Sequence, residues 1–286
     1  MPDRDSLGTR MKTYYEEVPK FRLYKRTPVA IRIDGKAFHT FTRGFKKPFD
    51  EVLIKSMQQT MLYLCENIQG CVLGYTQSDE ITLILQDYKT LTTSAWFDYE
   101  IQKICSISTS MATMIFNQKF HENVREWCDE NELSVLPYFN EDKPVELKQL
   151  YETYWNAVHK GAMFDARCFN IPKEEVTNLV FWRQLDAARN SVQMVGQAYF
   201  SHKELQNKSC SDIQDMLMEK YNINWNDFPT TQKRGSCAVR MTIQNPNVDP
   251  KDGAYPRDVW CIDNEIPQFK GEGREYIEKR INFKEE

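Results

Sequence analysis

No apolar run in the 286-residue chain reaches the length of a membrane span, and the opening MPDRDSLGTRMK lacks the apolar core of an export signal. The expectation is a soluble, cytoplasmic protein with no membrane partner. Cysteine occurs eight times, at 65, 71, 105, 128, 168, 210, 237 and 261, never as a CxxC pair, and four histidines give a structural zinc site no framework. Reduced thiols in a cytoplasm are the natural reading. Neither a GxxxxGK[ST] phosphate loop nor a GxGxxG fingerprint occurs; the nearest candidate, Gly271-Glu-Gly273, has Tyr276 where the third glycine belongs. P-loop enzymes, kinases and Rossmann dehydrogenases are thereby set aside. Internal repeats and low-complexity tracts are absent too.

What is present is an ordinary globular composition, 41% hydrophobic and 27% charged, long enough to bury a substantial core. The net charge of −4 hides an asymmetry: residues 10–47 hold eleven bases against three acids, leaving −12 for the remainder. A polyanion could bind near this N-terminal third, and a solvated basic face is the plainer alternative.

Residues 29–33, VAIRI, form a β-rich run ending in Asp34-Gly35, a pair suited to a tight turn. Asp50 then caps a predicted amphipathic helix in 48–68, with apolar residues at Leu53, Met57, Met61, Leu64, Cys65 and Ile68 and a stop at Gly70. Two strands, 71–76 and 81–85, are joined by an acidic hairpin tip, Gln77-Ser78-Asp79-Glu80. A helix within 96–116, a long helix over 173–200, shorter helical segments to Trp225, a basic turn at Lys233-Arg234-Gly235 and a strand at 236–243 complete the reading. The order is that of an α+β fold: a palm-like, ferredoxin-type βαββαβ antiparallel sheet with helices on one face and a helical C-terminal extension. Three segments are expected: a catalytic core over 1–120, an acidic surface insertion over 121–163 with nine acids against four bases, and a returning region over 164–286.

Phosphoryl and nucleotidyl transfer use divalent cations that neutralise phosphate and align the attacking and leaving oxygens, and hard Mg²⁺ prefers a few carboxylates plus substrate phosphates. Asp34 at one strand end and Asp79 with Glu80 on the next hairpin could converge on such a site. Each motif alone is more often a plain turn or a solvated loop; their joint placement within β-α-β-β is what carries weight.

Five ordered blocks, LGTRMKTYYE (7–16), RIDGKAFHTFTRGFKKPFD (32–50), GYTQSDEITLIL (74–85), FDAR (164–167) and FWRQLDAARNS (181–191), together resemble the tRNA(His) guanylyltransferase family and its Thg-like branch. The resemblance implies a palm-like enzyme that adds nucleotides 3′-to-5′ at tRNA 5′ ends through an adenylylated intermediate, with two Mg²⁺ ions, ATP and GTP or other NTPs, as a homotetramer. It implies Asp34, the Gly35 carbonyl and Asp79 as metal ligands, with Glu80 as further catalytic support. Asp34, Gly35, Lys36, Ala37, Phe38, His39, Ser78, Asp79 and Lys103 become nucleotide-binding, although Phe38 also reads as core and His39 as a loop histidine. Arg43, Lys46, Lys47, Arg183, Arg189, Asn190, Lys233 and Arg234 become candidates for tRNA contact. On the long helix Arg183, Asp186 and Asn190 share one face, so a salt-bridged helix surface is the competing reading. Where the eukaryotic branch carries His-Ile-Asn-Asn, this chain reads Ala188-Arg189-Asn190-Ser191, which resembles the Thg-like branch and favours templated 5′-end repair. A nucleotide cyclase or other palm-type phosphotransferase, and a non-catalytic RNA-binding module, remain the alternatives.

Overall fold

Asp50 shows how local chemistry builds this chain. Its carboxylate accepts hydrogen bonds from the Leu53 amide (2.9 Å), the Lys46 amide (3.0 Å) and the Tyr154 hydroxyl (2.7 Å), so one side chain caps a helix, closes a loop and holds a distant segment. Burial lifts its pKa above the usual carboxylate value, and the Tyr154 and amide hydrogen bonds pull it part of the way back.

The computed structural model describes residues 6–134, 142–243 and 257–281. In chain order its elements are α1 (Ser6–Met11), β1 (Val29–Gly35), α2 (Phe38–Phe41), α3 (Glu51–Asn67), β2 (Cys71–Gln77), β3 (Glu80–Leu85), α4 (Ile101–Glu130) and α5 (Val145–Lys160). Then come β4 (Phe164–Asn170), α6 (Val176–Tyr199), α7 (His202–Leu205), α8 (Cys210–Tyr221), α9 (Thr230–Arg234), β5 (Ser236–Ile243), β6 (Arg257–Asp263) and α10 (Glu275–Ile281). The strands form one sheet in the order β4-β1-β3-β2-β5-β6, every neighbouring pair antiparallel.

Ile31 and Ile33 of β1 and Ile81, Leu83 and Leu85 of β3 pack with α3, α4 and α5 in the larger core. The antiparallel sheet is as expected, but helices cover both of its faces rather than one. Ala30, Ile84, Leu73 and Tyr75 pack on the opposite side against Val176 and Val180 of α6 and Ile277 and Ile281 of α10. Every residue of β3 is buried, as a strand sandwiched between two helical layers must be. A register shift between Cys71 and Leu73 turns these two residues to opposite faces. Gly74 lets α3 lie close to β2, since a Cβ there would stand 2.5 Å from the Cys65 sulfur.

Among the described residues, 121–134 and 142–163 are not a surface insertion. The helix expected to end near 116 continues to Glu130 and buries Phe120, Asn123, Val124 and Cys128, while α5 contributes Tyr151, Tyr154 and Ala157 to the same core. Residues three apart on one helical face decide this, and the acids occupy the other faces. Pro137 lies outside the described residues. Two further strands, β4 and β6, extend the sheet at its edges, and the basic turn expected at Lys233-Arg234 is the end of α9, closed by Gly235. The core that holds β1 also holds Tyr154, Phe164 and Ala238, so the three expected segments make one folding unit.

Asp50→Ala should cost about 3 kcal/mol of stability, because the helix loses its cap and the buried Tyr154 hydroxyl loses its acceptor; Tyr154→Phe should cost about 1 kcal/mol. Urea denaturation reads both, and an Asp50→Ala variant within about 0.5 kcal/mol of the parent would remove Asp50 from this role.

Candidate active site

The end of the sheet where β1 stops is held by one backbone bond between the two acidic motifs. The Gly35 amide donates to the Asp79 carbonyl (3.1 Å), tying the β1 terminus to the β2-β3 hairpin tip, where Ser78 takes a left-handed conformation (φ 51°). Pairing sets Asp34 opposite Glu80 on one side and opposite Asp165 on the other, so three acids lie in a row across β3, β1 and β4. Beyond Gly35 the chain turns sharply through Ala37 (φ 53°) into α2. A Cβ at residue 35 would fall 2.2 Å from the Phe38 ring, so this close turn requires glycine.

These acids differ in charge environment. Burial raises the Asp79 carboxyl above the ordinary carboxylate value, the Ser78 hydroxyl (3.0 Å) lowers it in part, and the neighbouring Asp34 and Glu80 charges raise it again. Glu80 is buried and neutralised: Arg183 of α6 donates through Nε to its carboxylate at 2.7 Å and through a second nitrogen to Asp186 at 3.0 Å. Burial disfavours the Arg183 charge, but the Glu80 and Asp186 carboxylates outweigh this and hold the guanidinium above its usual pKa. Arg189 adds a second cation to Asp186.

Asp34 and Asp79, by contrast, have no cationic partner within ion-pair distance among the described residues. That is a donor set suited to a hard cation: two carboxylates held together at a cost in repulsion that a divalent ion would relieve. No cluster of three or more His, Cys, Asp or Glu side chains able to hold a metal occurs among the described residues. Two carboxylates therefore leave the other ligand positions to substrate phosphates and water, the usual arrangement for Mg²⁺.

Other expected residues are distributed as follows. Lys36, Ala37 and His39 are exposed around the turn, and the Lys36 amide donates to the Met163 carbonyl (2.8 Å). The Phe38 ring packs in the core against Phe41, Phe116 and Phe164, so its side chain offers no stacking face to a nucleotide. Lys103 is exposed on α4 with its ammonium 5.9 Å from the Phe97 ring centre, facing that ring rather than the acids. Arg43, Lys46 and Lys47 are exposed between α2 and α3. Arg183 is not a surface residue for RNA, since its guanidinium is buried in ion pairs. Arg189 and Asn190 are exposed, and a cleft between the hairpin tip, α6 and α9 brings Ser78, Asn190 and Lys233 together beside Asp50. Arg234 is half-buried, its carbonyl accepting from the Tyr75 hydroxyl at 2.7 Å. Sequence reasoning missed Asp165, which alternation along the FDAR strand and its pairing with Asp34 bring to the same face.

Replacing Asp79 with Asn removes a charge that sits above its ordinary pKa in the folded state. A raised carboxyl favours folding when protonated, and that contribution is lost as pH rises through its folded pKa. Asp79→Asn should therefore raise the melting temperature of the magnesium-free protein by about 2 to 4 °C at pH 8, and the gain should shrink as the pH is lowered towards 5. A scanning-calorimetry series in which the two proteins melt together at every pH would contradict this electrostatic account.

A family model for tRNAHis guanylyltransferase matches residues 8–172. A bacterial tRNA(His) guanylyltransferase-like protein solved in complex with ATP is similar over 97% of this chain and 99% of its own, at 40% identity and a TM-score of 0.74; a structure of such a protein with GTP gives 36% identity and 0.73, over 98% and 100%. The tRNA(His) guanylyltransferase of Saccharomyces cerevisiae is 25% identical over 226 residues, 74% of this chain and 82% of the yeast protein. The palm-like fold expected from the sequence stands, and the cyclase and binding-only alternatives give way to a nucleotidyltransferase. With its carboxylates set at the end of this antiparallel sheet and a match spanning more than half its length, the chain belongs to the tRNA(His) guanylyltransferase family.

Proposed function

We propose that this nucleotidyltransferase is a cytoplasmic, magnesium-dependent tetramer that repairs tRNA 5′ ends by templated 3′-to-5′ addition. The observation that carries the reading is the pair of unneutralised acids, Asp34 and Asp79, at a strand end whose third acid, Glu80, is already paired with Arg183. ATP and GTP, the nucleotides in the bacterial relatives' structures, are taken to occupy the turn at Lys36–His39.

The chemistry comprises two in-line displacements. The tRNA 5′-monophosphate attacks the α-phosphorus of ATP and releases pyrophosphate; the 3′-hydroxyl of an incoming NTP then attacks the activated 5′ phosphorus and expels AMP. Bound magnesium, one ion or two, would supply phosphate neutralisation and alignment of the attacking and leaving oxygens. The chain's own contribution is positional. Asp34 and Asp79 would hold the metal, the Gly35–Asp79 backbone bond fixes their spacing, and Ser78 orients the Asp79 carboxylate. Arg183 keeps Glu80 from competing for the same cation.

Templated addition is supported by Ala188–Ser191. Reading an anticodon needs base-edge contacts, whereas filling a gap takes its instruction from the opposing strand. The Ser191 hydroxyl is buried and accepts from the Trp225 indole (2.9 Å), while Arg189 and Asn190 are exposed and Ala188 is half-buried.

Asp34→Ala, with its fold intact by circular dichroism, should lose at least about a thousandfold in nucleotide transfer to 5′-truncated tRNA supplied with ATP, labelled NTPs and Mg²⁺. Near-parental activity would sink the metal assignment. In the same assay a tRNA lacking its first nucleotide should regain the base complementary to its 3′ partner, whatever its anticodon. Strong preference for full-length tRNA(His), with G added regardless of the opposing base, would replace repair with guanylylation.

A further inference from the structure

At the end of the sheet opposite the acids lies a cleft that the chemistry proposed above does not use. It has a volume of about 470 Å³ and is bounded by the turn before β2, the segment after β3, the β5-β6 ladder and the last turn of α10. The seven residues of β2 separate it from the hairpin tip, a distance of about 20 Å. One of its lining residues is Gln86, which is 2% exposed. The Gln86 side-chain amide donates to the Ile281 carbonyl (2.9 Å), whereas its side-chain carbonyl oxygen is buried with no hydrogen-bond partner. Gly70, at φ 80°, lies so close that a Cβ there would stand 2.6 Å from the Gln86 backbone carbonyl.

Cations from separate elements meet around this residue: Lys89 after β3, Arg240 of β5, and Lys279 and Arg280 of α10. Among the described residues, no carboxylate lies within ion-pair distance of Arg240, Lys279 or Arg280. The acids nearby are engaged elsewhere. Asp258, which also lines the cleft, accepts from the Thr242 hydroxyl (2.8 Å), and Glu278 accepts from Arg274 (3.1 Å). Aromatic rings accompany the guanidiniums instead: Arg240 lies 5.0 Å from the Trp260 ring centre and Arg280 4.0 Å from that of Tyr276. The helix dipole alone would account for Lys279 and Arg280 at the end of α10. It does not account for Arg240, which the sheet brings to the same cleft. Like charges gathered in a concavity repel one another, and a bound anion relieves that repulsion.

We infer that this cleft is a second phosphate-binding site, separate from the metal site, that takes a ribose phosphate. The phosphate oxygens meet Arg240, Lys279 and Arg280, and a ribose hydroxyl donates to the Gln86 carbonyl oxygen. Two sources carry that chemistry, the backbone of a bound RNA and a free nucleotide. The first rests on the tRNA reading above; the second does not.

The test compares the intact parent protein with Arg240→Gln/Lys279→Gln, two exposed positions outside the core. Fluorescence anisotropy reads tRNA affinity across a salt series, and equilibrium dialysis reads the ATP bound per chain. If RNA is the source, tRNA affinity should fall about tenfold and the slope of log K against log salt should flatten by about 1.5, with ATP stoichiometry unchanged. If a free nucleotide is the source, the ATP bound per chain should fall by about one, with tRNA affinity within about twofold. Arg240→Lys, which keeps the charge, should stay within a few fold of the parent in either measurement. Neither quantity changing in the double variant would overturn the site. An equal loss in Lys203→Gln/Lys208→Gln, exposed lysines on and beside α7, would reduce the effect to net charge and overturn it too. A changed oligomer size on gel filtration would make the cleft a contact between copies, with the same consequence. Should the parent bind no tRNA, the tRNA reading fails, and the ATP measurement alone decides the cleft.

Discussion

The carboxylates of Asp34, Asp79 and Glu80 lie at one end of the sheet, and the ion pair between Glu80 and Arg183 determines what they can do. Glu80 is buried, so water cannot screen its charge, and unpaired it would repel both Asp34 and Asp79. Arg183 reaches across from a helix 103 residues further along the chain and neutralises it at 2.7 Å. Such a pair adds little net stability over an apolar replacement, but removing one partner alone is costly, typically several kcal/mol. Its contribution is to the distribution of charge: one acid is made structural, and two remain available to a cation. The helical layer absent from the sequence expectation thus belongs to the chemistry as much as to the core.

Elements whose signals are local were legible. Asp50 caps α3 as read, the acidic hairpin lies where its turn residues put it, and β5 spans the expected residues 236–243. The placement of Asp34 and Asp79 was legible for the same reason, since a strand that ends in Asp-Gly and a hairpin tip bring carboxylates to one end of the sheet, whereas the burial of Glu80 was not. The other elements depend on partners that a sequence does not display. β4 exposes Asp165 and Arg167 and is a strand because β1 offers it a free edge; β6 exists because β5 does. Residues 121–163 look polar when their charges are counted, yet Tyr151, Tyr154 and Ala157 are enough to bury a helix face. Helical spacing puts Arg183, Asp186 and Asn190 on one side of α6 but cannot say whether that side meets solvent or sheet. Here it meets a buried glutamate at one end and water at the other.

The two faces of the sheet divide the labour. On the side of α3, α4 and α5 the aromatic residues Phe38, Phe41, Phe116 and Phe120 pack on one another, Phe41 edge to face with Phe116 and Phe120 and Phe116 stacked on Phe120. On the side of α6 the layer thins towards β4, and charged and aromatic groups reach solvent.

For anyone wishing to redesign nucleotide choice, the turn after β1 is a mixed inheritance. Lys36, Ala37 and His39 stand in solvent and are not held by packing, although the left-handed Ala37 restricts its own replacements to residues such as glycine or asparagine. Between and beside them, Gly35 and Phe38 are a single unit, ring against bare backbone, and neither can be changed alone without shifting the other. The evolvable part of this loop is every position that does not touch that ring.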